Sequence, residues 1–387
     1  MNFGIYIQVP FCQTKCTYCN FHTGVVSAEK YAPYAAAVQF EISNCRDLYS
    51  AEGISAAPLG NAVIDTVYLG GGTPSLLDPR DLRSMLDAIR ASFSCDWKEV
   101  TLEADPETVT SEKAAAWATA GVNRVSFGVQ SFSDLELKSS GRMHRREDVH
   151  RAAPILRAAG IQNLSFDLIV GLPHQTLGSW RNSLDELVGL NPEHVSIYML
   201  EVDEGSRLGR ELISLGARYS APAVPSDEQM ADSYDLARGL LAAVGYEHYE
   251  ISNWAKPDHA SRHNLKYWRR EPYLGCGAGA HSFNGITRWA NAHDSAQYVA
   301  AIQSGRLPAE QVEEVSPQQA REEEMFLGLR QLAGINLDQF DPAYATSLRA
   351  KLTPLESAGL IERKGSIVRL APEKLSISNE VFVELLG

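Results

Sequence analysis

The sequence lacks the long apolar runs and the basic excess that mark membrane and DNA-binding proteins. None of its apolar runs reaches the length of a membrane span, and the first residues lack the charged and apolar regions of a secretory signal. The formal net charge is −13 over 387 residues, whereas a duplex-DNA partner would require a basic face. We therefore expect a cytoplasmic protein with no transmembrane segment and no nucleic-acid partner.

Cysteine is also scarce, with six residues in the whole chain. Three of them, Cys12, Cys16 and Cys19, are clustered, and the others are scattered in apolar surroundings. This distribution argues against a disulfide framework and fits a reducing compartment with one metal site. Hydrophobic residues make up 44% of the chain, which is typical of a globular protein with an ample core.

The clustered cysteines have the spacing C-x3-C-x2-C, and no fourth cysteine follows nearby. Three thiolates can hold three irons of a 4Fe–4S cluster and leave the fourth iron open to another ligand. The alternative is a zinc ion with His22 as its fourth ligand. Structural zinc usually takes paired C-x2-C knuckles from two places, and the chain has no second knuckle. We therefore favour the iron–sulfur cluster.

Short runs of β-branched and aromatic residues recur along the first half of the chain and alternate with helix-like stretches. The predicted strands are Ile5–Val9, Thr66–Leu69, Glu99–Glu103, Arg124–Gly128, Leu164–Val170 and Val195–Leu200. The helix-like stretches are Pro79–Phe93, Ser111–Ala120, Glu147–Ala159 and Thr176–Leu190. Six such units predict an α/β fold with a parallel sheet, in the form of a partial (β/α)6 barrel.

Unusual residues follow the strands, where parallel barrels collect their reactive groups. Gly70–Pro74 follows the second strand and reads Gly-Gly-Gly-Thr-Pro, which lets a ligand approach the backbone closely. Its amides could also hold a carboxylate or a phosphate, although the lysine of a P-loop is missing. Glu103, Gln130, Arg142 and Asp167 could bind an amino acid and a nucleoside, or could instead cap helices and form surface pairs.

The second half of the chain changes character. We predict a loop-rich segment, a helix, a polar aromatic segment and a glycine-rich stretch, at Gly205–Ser226, Asp227–Ala243, Tyr246–Trp268 and Gly275–His281. The last part is predicted to be mainly helical and winged-helix-like, with a hairpin around Lys364 and Gly365. We therefore expect a core domain over residues 1–235, a connecting segment over 236–310 and a C-terminal domain over 311–387.

Several of these motifs together resemble those of the radical S-adenosylmethionine superfamily. They are the cysteine triplet, the glycine run, Gly128–Phe132 and Phe166–Thr176. More narrowly, they resemble the oxygen-independent coproporphyrinogen III oxidase group over nearly the whole chain. The resemblance implies that the open iron binds the amino and carboxylate groups of S-adenosylmethionine. A reduced cluster would then cleave that cofactor to methionine and a 5′-deoxyadenosyl radical.

The resemblance also implies a set of residues around S-adenosylmethionine, with Tyr6 beside the cofactor and Tyr18 over its adenine. The implied set is Tyr6, Tyr18, Gly71, Gly72, Thr73, Glu103, Gln130, Arg142 and Asp167. No catalytic residue is assigned by the resemblance.

Two features resemble the heme-chaperone branch of this group rather than the oxidases. Phe21 stands where the oxidases carry a fourth cysteine, and residues 263–268 read His-Asn-Leu-Lys-Tyr-Trp, the H-N-x-x-Y-W motif of that branch. The resemblance implies that heme is bound as cargo and passed to client hemoproteins. His263 would be the iron ligand, and the rest of the motif would complete the site with Asn264, Tyr267 and Trp268. Cys276 and His281 are rival ligands for the iron.

The alternative function is an enzyme, either a coproporphyrinogen III oxidase or a radical enzyme with another substrate. A homodimer and a transient contact with a membrane both stay open.

Overall fold

Six parallel strands, adjacent in chain order, form the centre of the main sheet. The computed structural model describes residues 1–386. The six strands are β1 (Asn2–Val9), β2 (Val63–Gly71), β3 (Ser94–Ala104), β4 (Arg124–Gln130), β5 (Asn163–Val170) and β6 (His194–Met199). The predicted parallel sheet of six β-α units is therefore confirmed.

Helices connect these strands and begin and end at residues suited to those positions. They are α1 (Tyr31–Ala51), α2 (Pro79–Ser92), α3 (Ser111–Ala120), α4 (Asp134–Ser139), α5 (Arg146–Ala158) and α6 (Leu177–Leu190). The Thr110 side chain accepts from the Lys113 amide at the start of α3, and Gly121 ends that helix with a φ of 108°. The sequence analysis missed α1, whose alanine-rich sequence gives no clear apolar stripe.

The centre of the sheet is buried on both faces, as in most parallel sheets. On one face, Val125 and Phe127 of β4 and Phe166 of β5 are fully buried, and on the other face Ser126 of β4 and Ser165 of β5 are 4% and 0% exposed. Adjacent strands keep their C-terminal ends at one edge, so the residues that follow β1 to β6 meet there.

Six further strands follow up to residue 314, together with four α-helices, and extend this sheet on both edges. The elements are α7 (Arg207–Ile213), α8 (Asp227–Ala243), β7 (Glu247–Glu250), β8 (Asn253–Ala255), α9 (Arg262–Trp268), β9 (Tyr273–Cys276), β10 (His281–Phe283), β11 (Thr287–Asn291), α10 (Ser295–Gln303) and β12 (Ala309–Glu314). The sheet order is β12-β11-β10-β9-β1-β2-β3-β4-β5-β6-β8-β7, and β9 runs parallel to β1. The stretch predicted to be loop-rich thus contains α7, and the glycine-rich stretch connects β9 to β10.

The C-terminal part is mainly helical and carries a small sheet. It consists of α11 (Pro317–Arg330), β13 (Ile335–Asn336), α12 (Pro342–Ser357), β14 (Ile361–Lys364), β15 (Ile367–Leu370) and α13 (Ser378–Leu386). β14 and β15 pair antiparallel, and Gly365 turns between them with a φ of 63°. The predicted wing hairpin is confirmed, whereas the domain boundaries at 235 and 310 stay predictions.

Within residues 1–386, none of the helices combines the length and the apolar character needed to span a bilayer.

Candidate cluster and cofactor site

A cavity of about 1090 Å³ lies at the C-terminal ends of β1 to β6. Its walls include the cysteine loop after β1, the glycine run after β2 and polar side chains from the ends of β3, β4 and β5. Residues 375–380, just before and within the start of α13, line another side. The cavity is therefore large, and it joins the predicted site residues to the C-terminal part of the chain.

The cysteine loop leaves β1 at Val9 and places three reduced, partly exposed thiols on the cavity wall. Backbone hydrogen bonds close the loop: the Cys12 amide donates to the Gly24 carbonyl at 3.0 Å, and the Gly24 amide donates to Pro10 at 2.9 Å. The Thr17 amide donates to Ser140 at 3.0 Å and ties the loop to the residues after α4. Burial raises the pKa of the Cys12 thiol.

The structure bears on the choice between zinc and an iron–sulfur cluster. Over residues 1–386, no three histidine, cysteine, aspartate or glutamate side chains are close enough together to bind one metal ion. The His22 ring packs against His293, with 4.0 Å between ring centroids. A zinc site needs all its ligands on one atom, whereas the thiolates of a 4Fe–4S cluster bind separate irons. Three thiols on one cavity wall therefore fit the cluster better than zinc.

Glu103, at the end of β3, faces the cavity and is held by two donors. Its carboxylate accepts from the Tyr68 hydroxyl and the Gly71 amide, both at 2.9 Å. Burial raises the pKa of Glu103 to about 7, against the opposing effect of these hydrogen bonds. At neutral pH this carboxyl can therefore either accept or donate, which suits an ammonium group or ribose hydroxyls.

The glycine run crosses the base of the cysteine loop at close range. A Cβ on Gly72 would lie 2.5 Å from the Phe11 carbonyl oxygen, so only glycine fits there. The amides of Gly72 and Thr73 donate to Val9 and Phe11 at 2.8 and 2.7 Å. The Gly71, Gly72 and Thr73 amides are all occupied within the protein, so the run offers close approach rather than an anion-binding nest.

Arg142 connects the cysteine loop to the residues after β3. Its guanidinium forms an ion pair with Asp105 and donates to the Gly128 carbonyl at 2.8 Å and to Cys16 Sγ at 3.6 Å. The Thr73 hydroxyl also donates to Asp105, at 3.1 Å. The sequence analysis did not select Asp105, although its position just after β3 was the signal that could have found it.

Gln130 and Asp167 occupy the same cavity wall. Gln130 has a φ of 62°, an uncommon backbone conformation for a residue other than glycine and one that is enriched at functional sites. Asp167 accepts from Ser126 Oγ at 3.0 Å, and burial raises its pKa. The structure thus brings eight of the nine residues predicted around S-adenosylmethionine to one cavity.

Tyr6 is the exception, since it does not line the cavity. Its hydroxyl donates to Gln8 Oε1 at 2.6 Å, and its ring stacks on Tyr68 with 6.0 Å between centroids. Tyr68 itself lines the cavity and was not predicted. Seen from the cavity, Tyr6 of β1 therefore lies behind Tyr68 of β2.

The four residues predicted to bind heme lie on α9, and of these only Asn264 lines the cavity. His263 is 1% exposed, and its Nδ1 and Nε2 atoms lie 2.9 Å from the hydroxyls of Thr66 and Tyr267. Burial lowers the pKa of His263 to about 3. Trp268 lies under the Arg330 guanidinium, 4.4 Å from the ring centroid. His263 could reach an iron only after Tyr267 or Thr66 moved away.

The two rival ligands for the iron, Cys276 and His281, differ in whether they are buried. Cys276 is buried at the end of β9, and burial raises the pKa of its thiol well above the ordinary value. His281 is exposed at the start of β10. Of these two rivals, His281 alone can be reached by a large ligand without rearrangement.

Comparison with known families places the chain among proteins with this architecture. The family model of the Radical SAM superfamily matches residues 6–187, and that of the HemN C-terminal domain matches residues 315–373. The chain is 36% identical to the heme chaperone HemW of Bacillus subtilis, over 99% of this chain and 98% of that protein. It is 33% identical to heme chaperone HemW of Mycobacterium tuberculosis, over 100% and 95% of the two chains.

A solved structure has the same fold. Coproporphyrinogen III oxidase HemN from Escherichia coli, a radical SAM enzyme, superimposes with a TM-score of 0.82 and 20% identity over 99% of this chain and 89% of that one. At this identity the likeness establishes the fold alone: an α/β radical SAM core with a mainly helical C-terminal domain.

Proposed function

The chain belongs to the heme chaperone HemW family of the radical SAM superfamily, and from this membership we propose that it binds heme and transfers it to client hemoproteins. Membership in the superfamily implies a 4Fe–4S cluster and S-adenosylmethionine. The observation that carries the proposal is the near full-length similarity to heme chaperones, which includes the H-N-x-x-Y-W motif.

The cavity supports the cofactor part of the proposal. Cys12, Cys16 and Cys19 would hold the cluster, which when reduced supplies the electron for cleavage of the bound sulfonium. Glu103 and Asp167 would bind the polar groups of the cofactor, and Gly72 would let its methionine part approach the backbone. Arg142 would orient the cysteine loop through its contacts with Asp105 and Cys16. The remaining cavity volume, toward residues 375–380, would stay available to a second molecule.

Phe21 supports a carrier rather than an oxidase. It occupies the position of the fourth cysteine in the oxidase motif, and it is 66% exposed beside the cavity. A coproporphyrinogen III oxidase activity is the competing function.

Two measurements test the proposal. Titration of the reconstituted protein with ferric heme should give a saturable Soret band. Addition of an apo-hemoprotein should then cause loss of that band, because the heme is transferred to the acceptor. Lack of saturable heme binding would contradict the carrier function.

The second measurement supplies coproporphyrinogen III, S-adenosylmethionine and a reductant under anaerobic conditions. We expect no protoporphyrinogen, and its formation would show that the chain is an oxidase. A parallel assay of 5′-deoxyadenosine establishes whether the cluster and cofactor are competent in the same sample.

A further inference from the structure

Three exposed histidines lie near one another beside the cysteine loop: His22, His281 and His293, called here the histidine cluster. Burial lowers the pKa of His281, and the nearby His293, Arg288 and His22 lower it further. The His22 and His293 rings lie 4.0 Å apart between centroids, tilted by 32°. Among residues 1–386, none of the three imidazoles is hydrogen-bonded to another protein group, although His263 and His194 each use both ring nitrogens. The histidine cluster therefore has free nitrogen atoms at the surface.

The fold builds this cluster from three distant segments. His22 follows the third cysteine of the loop, His293 follows β11, and His281 begins β10 after the glycine-rich stretch. The Gly279 amide donates to the Ala292 carbonyl at 3.0 Å, which holds the stretch against the end of β11. Gly279 has a φ of 72°, and a Cβ there would lie 2.8 Å from His293 Nδ1. Glycine is therefore required at this position for His293 to pack as it does.

The surroundings of the cluster have three properties that match a heme. Phe21 and Val25, in the same loop as His22, are 66% and 60% exposed, so they leave apolar surface for a porphyrin face. The Lys15 ammonium donates to the Phe21 carbonyl at 3.4 Å and so lies over this loop, where it could pair with a propionate. Burial, with His293 and Lys15, lowers the pKa of His22, so its ring is neutral at pH 7 and can donate a lone pair.

The arrangement suits a metalloporphyrin better than a bare cation. Within residues 1–386, no three side chains of metal-binding type converge on one point. A bare ion such as zinc takes three or four protein ligands, whereas heme iron already has four porphyrin nitrogens and needs one or two axial ligands. One or two imidazoles beside an apolar surface are therefore sufficient.

We propose that the histidine cluster, through His22 or His293, supplies an axial ligand to the iron of heme bound beside the cysteine loop, at the rim of the cavity that Lys15 and Phe21 line. This inference rests on the proposed heme-carrier function and specifies where the heme is held. His263, buried and bonded at both nitrogens, would then be a structural residue of α9 rather than the ligand in this conformation.

The test is a titration of the reconstituted protein with ferric heme, followed by the Soret band and by electron paramagnetic resonance of the heme. The wild-type protein is compared with the triple variant His22→Gln/His281→Gln/His293→Gln. The matched control is His174→Asn, an exposed histidine after β5 whose φ of 67° asparagine tolerates. We expect the triple variant to lose the imidazole-ligated signal and at least about tenfold in affinity, and the control to match the wild type.

Two further measurements separate loss of ligation from loss of structure. Iron and sulfide content and the thermal unfolding midpoint should be unchanged in the triple variant, because all three side chains are exposed. If the triple variant does not fold, the single variants His22→Gln and His293→Gln decide the question by the same heme titration. In His22→Gly, added imidazole should restore the ligated signal.

The possible failures are distinguishable. If the wild type and the triple variant bind heme equally well while His263→Ala abolishes ligation, the histidine cluster is not the site but the carrier function stands. If the wild type binds no heme, both are contradicted. If zinc alone binds to the cluster and the triple exchange leaves the heme signal unchanged, the cluster is a cation site and the inference is wrong.

Discussion

The cavity at the strand ends and the helix α9 both carry residues that the sequence marked as functional, yet they differ in how their polar groups are used. Glu99 and Glu103 lie four residues apart on β3, so both side chains are on the same face of the sheet. Glu103 faces the cavity and has a raised pKa. Glu99 is buried and accepts from the Ser261 hydroxyl and from the Arg262 and His263 amides, at 3.2, 2.9 and 3.1 Å.

This comparison teaches that a motif does not reveal whether its side chains are available. The cysteine thiols, Glu103 and Asp167 face an open cavity, where a ligand can reach them. Around α9, by contrast, the polar groups are already paired. Glu99 of β3 accepts from the N-terminus of the helix, and His263 is hydrogen-bonded to Thr66 and Tyr267. The first region is arranged to receive a ligand, and the second is arranged to hold the helix against β2 and β3.

We call the cavity at the strand ends the open region and the surroundings of α9 the closed region. The largest effect on either region is expected from Cys16→Ser in the open region, which should remove the cluster. A cluster held by three thiolates should not survive loss of one, so the broad visible absorption and the bound iron should disappear after reconstitution. Cys95→Ser, an exposed cysteine outside the cavity, is the matched control and should retain both. One equivalent of zinc in place of iron in the wild-type protein would contradict the cluster assignment.

The next effect concerns His263, in the closed region. His263→Ala should lower the free energy of unfolding by about 2–4 kcal/mol, because it leaves a buried cavity and strands the Thr66 and Tyr267 hydroxyls. The same exchange at exposed His22 should change that free energy by less than about 0.5 kcal/mol. Urea unfolding of both variants measures the difference, and equal effects would remove the distinction between the two regions.

Glu99→Ala should also destabilise the helix α9, by about 2–3 kcal/mol, because three donors at its start lose their acceptor, two of them in the buried residues Ser261 and His263. Glu324→Ala, an exposed residue of α11, serves as the control and should have little effect. The measurement is the urea midpoint, with hydrogen exchange of the α9 amides as a local readout. Unchanged protection of those amides would show that Glu99 does not hold α9.

The smallest effect is the pH dependence of the stability that Glu103 contributes to the folded protein. Its pKa of about 7 in the folded protein exceeds the usual value of about 4.5, so the stability it contributes is fully present below about pH 4.5 and is lost as the pH rises to about 7. The wild type should therefore lose roughly 1–2 kcal/mol more than Glu103→Gln between these limits, with some reduction for its partial exposure.

Thermal unfolding of both proteins between pH 5 and pH 8, without added S-adenosylmethionine, measures this difference. Parallel curves would show that Glu103 is ionised throughout.

Between pH 5 and pH 8, S-adenosylmethionine binding to the wild type should strengthen as the pH rises through about 7, if its ammonium group binds the ionised carboxylate.

The sequence by itself determined the parallel strands and the wing hairpin, and it selected eight of the nine predicted S-adenosylmethionine residues from the cavity wall. These depend on local information: β-branched runs make strands, Gly365 makes a turn, and residues at the ends of parallel strands meet at one edge of the sheet. The cysteine spacing likewise lies within one loop. A local pattern is sufficient wherever neighbours in the chain are also neighbours in the structure.

Tertiary structure alone decided which side chains are free. Thr66, 197 residues away in the chain, bonds His263, and His22, His281 and His293 meet from three separate segments. Asp105 pairs with Arg142, and Glu103 and the backbone beside the cysteine loop accept from the amides of the glycine run. Burial and hydrogen-bond partners depend on residues far apart in the chain, so no local motif can specify them.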